Sequence, residues 1–372
     1  MIKIFTAFII AAMLALLPLT ARASQARTAD TEAYVDQQMQ MFDFSGIDKA
    51  SGVSFGDLVS QAIKGQLDLS PKNLAQQFLN MLFGELKDNW SLLRNLILIS
   101  ILSAVLKALT DSFKNKSVGE LGFYICYMAL VMVIFSSFKI TMSILTGLVT
   151  VLSNIMTAAF PVMLGLLILS GNPAGATAFP PIFAFSIEAL TLVIRSILVP
   201  LLTIAAVLEI VNFLVEKEMF TNLGDLIRDF TKWALKIVAL LFLGVLSLQK
   251  ISAPILNNLA VRAAKAGANS IPMVGGMLSG AMDTVIMWGS AAKSGVMVAL
   301  VITIILACAV PIVKILAMYV IYRLTGAVIQ PICDKRIADC MESIGDFCRL
   351  LLYAGVIVSV MFIVSVVIML SF

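Results

Sequence analysis

Histidine is missing altogether from the 372 residues, and charged residues make up only 13% of them. The first absence removes histidine acid–base catalysis, serine–histidine triads, histidine metal sites and HExxH chemistry together. No phosphate-binding loop, dinucleotide fingerprint or run of nucleic-acid contacts is visible either. Cysteine is scarce. Cys126 and Cys308 fall inside apolar runs, where a thiol is a small hydrophobe, and Cys333, Cys340 and Cys348 lack CxxC spacing. Twenty methionines scattered among apolar runs read as flexible filler rather than as ligands. These gaps point away from an enzyme, a metal, a cofactor and a nucleic-acid partner.

Hydrocarbon fills the space. Hydrophobic residues are 60% of the chain, and apolar stretches beyond the ~18 residues of a spanning helix recur along most of its length. The expected fold class is all-α, a polytopic transmembrane helical protein embedded in the lipid bilayer.

Met1-Ile-Lys3, an apolar run from Ile4 to Leu17 and the small-x-small triplet Ala21-Arg-Ala23 have the layout of a secretory signal peptide over 1–23. The chain after residue 23 is then expected outside the cytoplasm. Residues 24–90 are polar, with helical patterns at Phe55, Leu58, Val59 and Ile63. Ser70-Pro71 reads as a helix start, before a stripe of Leu74, Phe78, Leu79 and Leu82. Two or three short amphipathic helices, lying on the membrane surface or on a partner, are expected there.

The multi-span domain covers 91–372, with about seven spans. They run near Leu92–Leu109, Leu121–Phe138, Ile144–Leu169, Ile182–Val215, Trp233–Leu248, Val296–Tyr322 and Leu351–Leu370. Lys107, Lys114 and Lys116 mark one cytoplasmic loop, and Lys250, Arg262 and Lys265 another. The stretch Ile182–Val215 exceeds one crossing and holds Pro200, so it is a kinked, tilted helix or a helical hairpin. Residues 216–232 suit an interfacial amphipathic helix.

The most informative segment is Ile271–Val285, apolar yet carrying Pro272, Gly275, Gly276, Gly280 and the single acid Asp283. Glycine and proline weaken a helix, and an acid at the hydrocarbon centre costs roughly 2.5–3.5 kcal/mol. A segment holding both packs on protein or lines a wet cavity. It is either re-entrant or a full crossing, and the orientation after residue 270 depends on which. Gly276 with Gly280, and Gly275 with Ser279, form small-xxx-small pairs that let helices approach closely.

Three further charges interrupt apolar sequence. Arg195 and Glu209 stand seven and twenty-one residues after Glu188, offsets of seven and fourteen that on an unbroken helix put all three near one face. They are candidates, with Asp283, for lining or bracing a channel. A structural ion pair is the plain alternative.

Taken together, Asn269–Val285 with Lys293 beyond it, the run Pro331-Ile-Cys-Asp-Lys-Arg-Ile-Ala-Asp-Cys340, and Phe160-Pro-Val162 with its leucine-rich continuation give a chain that resembles the stage III sporulation protein AE family over essentially its whole length. Gly280 departs from that pattern, standing where relatives often carry an acid. The resemblance implies a non-enzymatic component of the mother-cell membrane around the forespore. It implies partnership with the other stage III A proteins and forespore protein Q in a channel or secretion-like complex required for late forespore transcription. A homo-oligomer is compatible with that role. A stand-alone secondary transporter and a non-conducting scaffold for ring-forming partners are the competing readings; broken helices suit the former.

Overall fold

A computed structural model describes residues 43–64, 71–112, 116–171, 173–214, 222–244 and 275–370. The expected leader and Pro272 lie outside the described residues. Helices make up these segments, and no strand occurs among them. They are α1 (Ser45–Ser51), α2 (Phe55–Lys64), α3 (Pro71–Asp88), α4 (Trp90–Ser112) and α5 (Lys116–Leu169). α6 (Pro173–Val193) leads through a π turn (Ile194–Leu198) into α7 (Val199–Leu214). α8 (222–244), α9 (Gly275–Ile329) and α10 (Lys335–Leu370) complete the set.

Five helical stretches are long and apolar enough to cross a membrane: Trp90–Ala108, Tyr124–Leu169, Ala184–Val211, Ala292–Ile329 and Lys335–Met369. The structure corrects the sequence reading in several places. Leu121–Phe138 and Ile144–Leu169 are not two spans but one helix, because Lys139 to Ser143 holds neither a proline nor a turn signal to break it. The Gly-rich segment is not a separate re-entrant element. From Gly275 onward it is the start of α9, continuous with the span expected near Val296–Tyr322. Most of the mixed-charge connector 323–349 is helical, and α10 begins at Lys335. From Ile182 to Leu214 the expected span Ile182–Val215 is one rod rather than a hairpin. Pro200 offers no N–H to its preceding turn and its ring crowds that turn, and the π turn just before it absorbs the mismatch.

Local signals set the ends. Gly52 caps α1 in the left-handed region (φ 71°), its N–H bonding the Asp48 carbonyl at 2.8 Å. The Asp48 carboxylate accepts the Phe55 N–H at 2.7 Å and so opens α2. Gly171, at φ 76°, closes α5, and Pro173 opens α6.

α9 and α10 form a long antiparallel hairpin against α5, with α4 and α7 alongside. Where lipid removes most of the hydrophobic drive between helices, close contact and internal hydrogen bonds hold them. Tyr127 donates to the Ile210 carbonyl at 3.1 Å. Tyr322 bonds the Ser137 hydroxyl and the Ile134 carbonyl. Phe138 meets Phe347 edge-on at 6.2 Å, a geometry worth about 0.5–1.5 kcal/mol beyond its area.

The N-terminal helices pack on the long helices. α1 packs on α5, and α2 and α3 pack on α9. Ile47, Phe55 and Val59, the apolar sides of α1 and α2, are buried in the common core. The amphipathic pattern of α1 and α2 was legible and its partner is the chain itself, whereas Leu79 and Phe83 of α3 remain exposed.

Gly289 lets α9 cross the end of α5, because a methyl group there overlaps the Leu169 carbonyl. Gly147, by contrast, has nothing within 4 Å of such a methyl. Gly289→Ala is expected to destabilise the chain by roughly 1–3 kcal/mol in detergent thermal unfolding. Gly147→Ala should be neutral or stabilise by up to about 1 kcal/mol. Equal behaviour of the two variants contradicts the crossing.

Candidate functional site

Of the four charged candidates, only Glu209 is shown to be enclosed, with 7% of its surface exposed. Ser343 of α10 donates to its Oε1 at 2.8 Å. Arg228 of α8 places Nη2 3.7 Å from the same oxygen and donates to Ser343 Oγ at 3.2 Å. The Arg228 guanidinium also reaches Asp225 Oδ1 at 3.1 Å and stacks 4.8 Å from the centre of the Phe347 ring. Three helices thus meet on one carboxylate.

The other carboxylate oxygen, Oε2, is buried and has no hydrogen-bond partner among the described residues; the same holds for Arg228 Nε. Gly224 makes room for Oε2: a Cβ there would lie 2.6 Å from it. The cluster offers a spare acceptor and a spare donor inside an otherwise closed brace. Removing either charge alone leaves its partner buried and unpaired.

Glu188 and Arg195 are both exposed, and the shared face expected with Glu209 does not form. The π turn inserts about one residue, which rotates everything after it by about 100°. Arg195 instead bonds Thr150 on α5, and Glu188 has no partner among the described residues. Gly275, Gly276, Gly280 and Asp283 all lie in the first turns of α9, ahead of its apolar window at Ala292. Their side-chain surroundings lie outside the described residues.

Sequence reasoning missed Arg228 and Ser343. A usable signal existed for Arg228: it and Glu209 stand at nearly equal distances from the facing ends of α7 and α8, so antiparallel packing of the two helices brings them level. Ser343 carried none.

A second polar junction ties the α9–α10 turn to α4. Asp334 pairs with Lys107, accepts the Arg336 N–H at 2.9 Å and lies 3.7 Å from Arg336 Nε. Cys333 donates its thiol to the Ser100 carbonyl at 3.2 Å. Burial raises the Asp334 carboxyl pKa, but the bonds from Lys107 and Arg336 outweigh it and hold the group below its usual value. The motif Pro331–Cys340 therefore has a physical role: it turns the chain, caps α10 and anchors both to α4. It also puts the 330–334 turn at the same end of the bundle as the C-terminal turns of α4.

No group of three or more metal-ligating side chains occurs among the described residues. A helical membrane protein with a long-helix bundle and an N-terminal jacket of short helices is thereby defined. The chain belongs to the stage III sporulation protein AE family, whose profile matches residues 53–372. It is similar to the stage III sporulation protein AE of Bacillus subtilis (strain 168), with 30% identity over 326 residues, 85% of this chain and 82% of that protein. No solved structure matches.

Glu209→Ala and Arg228→Leu are each expected to cost about 3–5 kcal/mol of stability. Together they should cost much less than the sum, because the second change removes the stranded partner. Additive losses in a double-mutant cycle contradict the pairing.

Asp334, with its depressed pKa, contributes stability that is fully present above the unfolded value of 3.8 and is lost as pH falls through the lower folded value. Unfolding midpoints should therefore owe no pH dependence to this group between about pH 5 and 8. Its share should begin to fall below about pH 4 and be gone once the pH is below the depressed folded value, and Asp334→Asn should abolish that component.

Proposed function

We propose that this chain is a non-enzymatic, membrane-embedded component of the channel or secretion-like complex between mother cell and forespore. It acts there with the other stage III A proteins and forespore protein Q, in the mother-cell membrane, with its N-terminal helices outside the cytoplasm. The family match from residue 53 to the final residue carries this reading, because it takes in all five candidate spans. The basic loop after α4 supports the orientation.

A non-conducting scaffold is the second reading, favoured by one observation. Glu209 is braced by Arg228 and Ser343 inside the protein rather than turned to a passage. The two readings part at Glu188, Arg195 and Asp283. A channel component should lose forespore activity on Asp283→Asn at normal protein level, whereas a scaffold tolerates neutral replacement of these charges as long as assembly survives.

Deletion in the native spore former tests the sporulation role itself. Small forespores and a silent late forespore reporter after engulfment, both restored by the wild-type chain, are the expected result. Normal forespores in a strain with no second copy would exclude the assignment.

A further inference from the structure

α8 has two apolar sides, and the fold uses one of them. Ile227, Leu235, Val238 and Phe242 pack into the common core, and Arg228 on the same side reaches Glu209. Turned away from them, Leu223, Leu226, Phe230, Trp233, Leu240 and Leu241 are exposed. At 100° per residue these six fall within an arc of about 100°, centred about 130° from the buried side. The spacing is a heptad. Leu223, Phe230 and Ile237 alternate with Leu226, Trp233 and Leu240 in steps of three and four, the pattern by which one helix packs along another.

One flank of this stripe is charged, and its sign reverses along the helix. Asp225 and Asp229 are exposed in the first half, Lys232 and Lys236 in the second. Asp229 holds Lys232 of its own helix at 2.7 Å, whereas Lys236 has no partner among the described residues.

Lipid is a poor cover for such a face. α8 is not among the five stretches apolar enough to cross a membrane. A helix lying on the membrane surface carries a lysine- and arginine-rich polar side that anionic lipid attracts. Here two exposed acids cancel two exposed bases.

A flank whose sign reverses matches a second copy of itself only when that copy is inverted. In an antiparallel pair about a two-fold axis, Phe230 of one copy meets Trp233 of the other, Leu226 meets Ile237, and Leu223 meets Leu240. The same register sets Asp229 beside Lys236 of the second copy, twice over. A parallel pair would instead gather all the acids at one end and all the bases at the other. Phe230 and Trp233, whose ring centres lie 6.1 Å apart in one copy, fall at the axis. Four rings then form the middle of the contact, where aromatic side chains contribute most to association.

We propose that the outer stripe of α8 is a self-association surface, through which two copies of the chain pair antiparallel with Phe230 and Trp233 at the two-fold axis. Apart from the half-buried Ile237, the contact uses only side chains that the fold leaves exposed. It rests on the spacing and charge of α8 and stands whether or not the sporulation-channel reading does.

Disulfide cross-linking of the full-length chain in membranes tests the pairing, in a host that forms no spores and supplies no other stage III A protein. Leu223→Cys and Leu240→Cys lie 17 residues apart, about 25 Å along the helix. Each is expressed alone, and the two are co-expressed with different tags. Leu226→Cys with Ile237→Cys, a second opposed pair, repeats the measurement. The wild-type chain sets the background, since Cys126, Cys308, Cys340 and Cys348 are buried and Cys333 is half-buried.

Covalent dimers bearing both tags, several-fold above either variant alone, are the expected result. Asp229→Lys in both chains should lower that yield several-fold, and adding Lys236→Asp should restore it. Single variants that cross-link as well as the mixed pair overturn the antiparallel arrangement. An absence of dimers for both opposed pairs overturns the pairing itself and leaves the stripe to lipid or to a different protein. A charge exchange that fails to restore the yield overturns the register. None of these outcomes bears on the deletion phenotype, so the two ideas fail separately.

Discussion

Helix length set against membrane thickness governs this structure. α5 and α9 hold 54 and 55 residues, about 80 Å each, and a tilt of 40° still leaves about 60 Å along the membrane normal. A hydrocarbon core of about 30 Å cannot contain either. The remaining features depend on where the surplus goes. Polar short helices pack along α5 and α9, and the Gly-rich start of α9 lies ahead of its apolar window.

The lower end is held differently. Charges meet there in pairs: Glu209 with Arg228 in the interior, and, at more open positions, Asp334 with Lys107 and Arg323 with Glu342 and Asp346. Each pair joins two different helices, and each sits within a few turns of a connecting loop. Such pairs gain little net stability against an apolar substitute, but they are severe about register, since a shifted helix strands a charge. The α9–α10 turn, α4 and the packed α7 and α8 are thereby locked in place while the apolar midsections supply area without direction.

Composition made the class legible, and the fold class needed nothing beyond apolar runs and the missing histidine. Boundaries were harder. Lys139 inside an apolar stretch read as a gap between two spans, because a lone charge does not reveal whether the helix continues through it. Pro200 correctly announced an irregularity but not its form; only the backbone shows a π turn, and that turn is what separated Glu209 from Glu188 and Arg195. The site was half visible. Glu209 stood out as an acid in an apolar run, whereas Ser343 is one serine among many and gained its role from where α10 happens to pass. Pro331–Cys340 attracted notice as a motif, and its meaning emerged once Asp334 was found against Lys107.

The most direct check is a structure of the full-length chain in a lipid nanodisc, measuring how far helical density extends from each face of the disc. Helices of 54 and 55 residues predict density rising tens of ångströms beyond the disc. Long helices confined to the thickness of the disc would contradict it.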